Sequence, residues 1–96
     1  MDQQMLRKMQ KLQKDYSEKA EVFADQKFTL EKQGIEIVMK GNKKMVSIKI
    51  KDEILIDPED PETLEDLIVL TINELENQID EEQEKLMPNL PAGFGF

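Results

Sequence analysis

Arg7, Lys8, Lys11 and Lys14 stand in a stretch, Gln3 to Lys14, that holds no acidic residue. Cations grouped in this way can neutralise phosphates, which fixes a protein on a nucleic acid without reading its bases. The same charges can instead pair with carboxylates of their own chain, the commoner fate of a charge run. Both outcomes are open here. Residues 1–51 carry twelve Lys and Arg against seven Asp and Glu, a net of +5; residues 52–96 carry one against fourteen, a net of −13, which together give −8. One half of the chain attracts anions and the other repels them.

A second basic group, Lys43 and Lys44 with Lys40 before them, flanks a turn signal, and Lys49 and Lys51 follow. These lysines either widen a phosphate footprint or keep strand edges from pairing with other chains. No aromatic residue interleaves them, so stacking on unpaired bases is not expected. Catalytic chemistry finds no footing. Cysteine and histidine are both absent, which removes the usual nucleophile–base pairs, and Ser17 and Ser47 have no evident activator. The acidic cluster Asp57, Glu59, Asp60 and Glu62 lacks the glycine-bearing pattern of a calcium loop and suits the start of a helix instead. No enzyme activity, metal site or cofactor is expected.

The elements that carry these charges follow from the apolar periodicity. Met5, Met9, Leu12, Tyr16 and Phe23 recur at helical spacing, with the basic residues off that stripe, which predicts one helix from Gln3 to about Gln26. The period then falls to two. Phe28 and Leu30; Ile35, Ile37 and Met39; and Val46, Ile48 and Ile50 each alternate with mostly polar neighbours, predicting three short strands in an antiparallel meander. Gly34 allows the first turn, and Gly41-Asn42 is expected to supply positive-φ residues for the second. Asp60 as N-cap and Pro61 as first helical residue open a second helix, expected to run to about Leu86 and to stop at Pro88.

Both helices outreach a sheet of six-residue strands, so their far ends should run side by side, with Met5, Met9 and Leu12 against Leu75, Ile79 and Leu86. Within the second helix Leu67, Ile68, Val69, Leu70 and Ile72 point around the whole helix. A helix that is apolar on all sides must be covered on all sides. A second copy of the chain is the simplest cover, which makes these five residues the expected dimer interface. The chain reads as one α+β domain over residues 1–87: a long N-terminal helix, a three-stranded antiparallel sheet and a long C-terminal helix. A flexible Pro/Gly/Phe tail is expected over 88–96. The longest apolar run, Leu67 to Leu70, is too short to span a bilayer. With no apolar leader and no cysteine, the expectation is a cytoplasmic protein that does not enter membranes.

Several stretches resemble one family. Met9-Gln10-Lys11-Leu12-Gln13-Lys14 is similar to the opening helix of the YbaB/EbfC nucleoid-associated proteins. Asp57-Pro58-Glu59-Asp60, Leu64-Glu65-Asp66-Leu67-Ile68-Val69-Leu70 and Asn73-Glu74 resemble that family's most recognisable stretch, and Leu90-Pro91-Ala92-Gly93-Phe94 resembles its closing tail. The resemblance implies a bacterial, tweezer-like homodimer without enzymatic activity that binds duplex DNA and associates with the nucleoid. It brings phosphate contact by Arg7, Lys8, Lys11 and Lys14 level with internal pairing; Lys43 and Lys44 are candidate further contacts, though edge protection is the plainer reading for them. One departure is evident. Glu74, Glu76, Asp80, Glu81, Glu82 and Glu84 face only Lys85 on the second helix, where relatives are commonly more mixed in charge. The alternative expectation is a chaperone-like or adaptor protein whose helical arms grip a protein partner.

Overall fold

The computed structural model of the chain describes residues 2–86. Helix α1 (Gln3–Asp25) leads into strands β1 (Lys27–Lys32), β2 (Ile35–Lys40) and β3 (Met45–Ile50). A single 3-10 turn at Glu53–Leu55 then passes to helix α2 (Pro61–Leu86). The strands form one antiparallel sheet in the order β1-β2-β3, with α2 lying over β1 and β2. The predicted α+β order of helix, three-stranded sheet and helix is the observed one. The expected tail, residues 88–96, lies outside the described residues.

The helix starts are those the sequence marks. Asp2 caps α1, its carboxylate accepting from the Gln4 N–H at 2.7 Å. Asp60 caps α2, accepting from the Thr63 hydroxyl at 2.6 Å and more distantly from the Thr63 N–H at 3.4 Å. Pro61 then occupies the first helical position, where a missing N–H costs nothing.

Register assigns the two faces of the sheet. Phe28 pairs with Met39, Leu30 with Ile37 and Lys32 with Ile35, so one face is apolar across β1 and β2. Against it α2 lays Leu67, Thr71, Leu75 and Ile79, spaced four residues apart and all buried. Thr71 is fully buried among them because its hydroxyl donates to the Leu67 carbonyl at 2.7 Å, which removes the cost of an unpaired polar group. Phe23, the last aromatic of α1, joins this core and meets Phe28 ring to ring at 5.3 Å. The opposite face is polar. Lys51 crosses it to reach Glu36 at 2.7 Å and Glu31 at 3.2 Å.

The Lys51 ammonium, by hydrogen bonding to Glu36, holds that carboxyl below its usual 4.5. A depressed carboxyl favours the folded state above its unfolded pKa, and the contribution fades as pH falls through the folded value. Lys51→Gln is therefore expected to lower the melting temperature slightly at pH 7 and not at pH 3. Thermal melts of both proteins at the two pH values check this; an equal difference at both would refute it.

Two expectations about turns and packing need correction. Positive φ falls at Gln33 (51°) and Gly34 (95°) in the first turn, as a two-residue hairpin requires. In the second turn it falls on Lys43 (68°), and neither Gly41 nor Asn42 carries it. Gly41 is needed for space instead: a Cβ there would run into the Phe23 carbonyl. Asn42 acts through its side chain, which accepts from the Lys44 N–H at 2.9 Å.

Nor does the N-terminal half of α1 pack on Leu75 and Ile79. Those two are buried at 1% and 0% exposure in the sheet core, whereas Met5 and Leu12 are 58% and 40% exposed. The reason is how α2 spends its length. Residues 67–79 cross the sheet, leaving only the last two turns beside α1, where Tyr16 shares a cleft with Asp80, Gln83 and Glu84. Continuing that antiparallel offset, the first turns of α1 extend beyond Leu86.

Candidate nucleic-acid interface

An α-helix turns ~100° per residue, which sets Arg7, Lys11 and Lys14 within about 60° of one another and Lys8 about 60° to one side. Met9, Tyr16 and Phe23 take the opposite side. The four cations thus share one flank of α1, all of them exposed, over an axial span of about 10 Å from Arg7 to Lys14. Asp15 and Glu18 close this flank towards the sheet, so the basic stripe belongs to the projecting end.

The carboxylates of α2 do not take these cations. Among the described residues the ion pairs are Lys32–Glu74, Lys43–Asp80, Lys51–Glu31, Lys51–Glu36 and Lys85–Glu82, none of which includes Arg7, Lys8, Lys11 or Lys14. Pairing with the acidic end of α2 is therefore not how the stripe is arranged. Nor do three or more carboxylates gather as a metal site among the described residues.

The hairpin lysines divide. Lys43 reaches Asp80 at 2.6 Å, and the hydrogen bond to that carboxylate raises its pKa above the usual 10.5. It ties the β2–β3 turn to α2 and has less charge to offer a ligand. Lys44 is exposed and enters no ion pair among the described residues. This turn is not continuous with the α1 stripe. Gly41 and Asn42 donate to the Gln26 and Ala24 carbonyls, which places the turn at the C-terminal end of α1, about 15 Å along the helix from Lys14.

The five residues expected at a dimer contact also divide. Leu67 is 7% exposed and belongs to the protomer's own core, with Ile68 and Ile72 half-buried against it. Val69 and Leu70 remain 58% and 50% exposed. The two ion pairs from α2 fix how the helix is rotated. Glu74 reaches Lys32 of β1, and Asp80 reaches the β2–β3 turn. Val69 lies about 160° around the helix from both Leu67 and Thr71, which pack on the sheet, so it points away from the sheet.

Apolar surface that the periodicity alone did not single out also stays uncovered on β3. Met45, Val46 and Ile48 of β3 are each about two-fifths exposed, and Ile54 and Ile56 more so. A register shift opposite Val38 and Met39 inserts Val46 as an extra residue, pairing Met45 with Met39 and Ile48 with Ile37. The apolar face of the sheet thus continues onto β3, past the cover that α2 provides. Strand pairing also makes a basic row that the sequence did not disclose, because Lys27 is brought beside Lys40. Its only linear signal is a lysine at the start of one strand and another at the end of the next.

Comparison with known proteins finds relatives along nearly the whole chain. A nucleoid-associated protein of Mycoplasmopsis pulmonis is 37% identical over 90 residues, covering 94% of this chain and 89% of its own. One from Metamycoplasma arthritidis is 43% identical over 83 residues, 86% of each chain. A nucleoid-associated protein of Streptococcus agalactiae is 38% identical over 87 residues, 88% of this chain and 87% of its own. The family model for the YbaB/EbfC DNA-binding family matches residues 1–94, so the chain belongs to that family, which is one of DNA-binding proteins and not of enzymes.

Proposed function

We propose that this protein is a homodimer that binds duplex DNA mainly through phosphate contacts, with little sequence preference, and that it associates with the bacterial nucleoid in the cytoplasm. The observation that carries this is the stripe Arg7, Lys8, Lys11 and Lys14: four exposed cations on a projecting helix, outside every ion pair among the described residues. An acidic protein that leaves these charges unneutralised keeps an anion-binding surface on the projecting end of α1. Three of the four are lysines, point charges on flexible stems that suit phosphate oxygens, and phosphate contacts carry no base sequence. The acidic end of α2 lies beside Tyr16 and repels the same duplex, so affinity is expected to fade towards physiological salt. With neither cysteine nor histidine in the chain, the role proposed is binding without catalysis or cofactor.

The dimer is supported by apolar surface left exposed on α2, at Val69, and on β3. Met45, Val46, Ile48 and Val69 are exposed apolar residues that one chain of this size leaves uncovered. A second copy related by a two-fold axis covers them with the same residues on both sides. Val69→Glu is expected to strand a charge in that contact, at a cost of roughly 3–5 kcal/mol, and so to yield monomer. Light scattering checks this at micromolar concentration. Wild-type protein that already scatters as an 11.2 kDa monomer would refute the dimer.

A second reading has one observation of its own. Met5, Leu6 and Leu12 are 58%, 47% and 40% exposed on the projecting helix, an adaptable apolar surface of the kind that grips protein partners. An electrophoretic mobility shift with random-sequence duplex at ~50 mM salt, where phosphate contacts are least screened, separates the two. A shift supports DNA binding; no shift at any protein concentration up to tens of micromolar supports the adaptor.

A further inference from the structure

The polar face of the sheet is unevenly charged along its length. Lys27 pairs directly with Lys40, and the Lys40 N–H donates to the Lys44 carbonyl at 2.9 Å. Their neighbours Phe28, Met39 and Met45 share the apolar face, so alternation sets Lys27, Lys40 and Lys44 side by side on the other. With adjacent chains about 4.8 Å apart, the three form a row about 10 Å wide. The next row on this face holds Thr29, Val38 and Ser47. The one beyond holds Glu31, Glu36 and Lys49, where Lys51 neutralises both carboxylates. One end of the face is balanced; the other carries three positive charges.

Fold stability does not account for that row. Like charges directly opposite on paired strands oppose the pairing. None of Lys27, Lys40 and Lys44 enters an ion pair among the described residues. The neighbouring C-terminus of α1 does not call for lysines either. Its Val22 and Phe23 carbonyls accept from Gln26, and Ala24 accepts from Asn42, all backbone to backbone. Lys43 has turned away to Asp80, so the row consists of the lysines that the fold leaves uncommitted.

We infer that Lys27, Lys40 and Lys44 form a second contact surface for the phosphate backbone of duplex DNA, distinct from the stripe on α1. Charge complementarity selects the ligand: a line of three cations about 10 Å wide, flanked by the Thr29 and Ser47 hydroxyls, fits a run of phosphates. A duplex held by the α1 stripe and by this row is contacted at places about 15–25 Å apart along α1. The inference rests on the proposed DNA binding and adds to it where the sheet takes part.

The test compares wild type with the triple variant Lys27→Gln/Lys40→Gln/Lys44→Gln in salt titrations of duplex binding, alongside thermal melts. The variant is expected to bind at least about tenfold more weakly at ~50 mM salt, equally for all sequences. Its log–log salt slope is expected to be shallower by about 0.9 for each row lysine that engages a phosphate. Its melting temperature is expected to be equal or higher, since a repulsive row is gone. Arginine at all three positions is expected to retain binding. Affinity and slope equal to wild type, with α1 charge reversals still abolishing binding, would overturn the row alone. A triple variant that melts lower, with binding not retained by arginine, would make the row structural and overturn it too. Wild-type protein that binds no duplex would overturn the row together with the DNA-binding reading on which it rests.

Discussion

Gly41→Val is expected to leave the protein largely unfolded at 37 °C. The space at this position is closed by α1: a Cβ would meet the Phe23 carbonyl, and the Phe23 ring lies 2.8 Å away. The carbonyl is backbone at the end of a helix, and the ring is buried in the core, so neither can move aside cheaply. The collision would also break the Gly41 and Asn42 hydrogen bonds to Gln26 and Ala24, which join helix to hairpin. A domain of this size holds roughly 5–14 kcal/mol in all, and overpacking together with lost junction hydrogen bonds removes a large share of that. Circular-dichroism melts check the expectation. A variant melting within a few degrees of wild type would show that α1 and the hairpin are not packed as described.

Reversing Lys11 and Lys14 to Glu is expected to reduce duplex affinity by at least about a hundredfold at ~50 mM salt, alike for every sequence. Each reversal removes one phosphate contact and adds a repulsive charge on the same flank of α1. Two copies of Arg7, Lys8, Lys11 and Lys14 in a dimer offer up to about eight contacts, so four reversals per dimer halve the attraction and oppose what remains. The helix is expected to be unharmed, because these side chains are exposed and take no part in its packing. Lys43→Glu is expected to cost less binding, and to act mainly by placing a carboxylate against Asp80. Fluorescence anisotropy with two unrelated duplexes checks both variants. Greater damage from Lys43→Glu than from the α1 reversals would move the principal contact to the hairpin.

Much of the fold was legible in the sequence because its signals are local. The Asp60-Pro61 start of α2 and the extent of α1 follow from capping chemistry and helical period, and both are found. The strands follow from alternation around Ile35, Ile37 and Met39, which prove to be the centre of the core. What was not legible depends on contacts between elements. Gly41 and Asn42 read as a positive-φ pair, yet the constraint on Gly41 comes from Phe23, eighteen residues earlier, and positive φ falls on Lys43. Leu67 to Ile72 read as one interface, but the rotation of α2 over the sheet buries Leu67 and leaves Val69 pointing away from it. The row Lys27–Lys40–Lys44 needs strand register, which alternation alone does not set. The α1 cations were visible from the start; that α2 leaves them unpaired was not.

The central claim, that an acidic protein holds duplex DNA through an uncommitted basic stripe, is tested most directly by the salt dependence of wild-type binding. Affinity for a random-sequence duplex would be measured between about 30 and 200 mM monovalent salt, and again for a duplex of unrelated sequence. With four to eight phosphates engaged per dimer, the log–log slope is expected to lie between about −4 and −7, the same for both duplexes. A slope near zero, or a large affinity difference between the two sequences, would contradict the account, since binding would then rest on something other than phosphate charge.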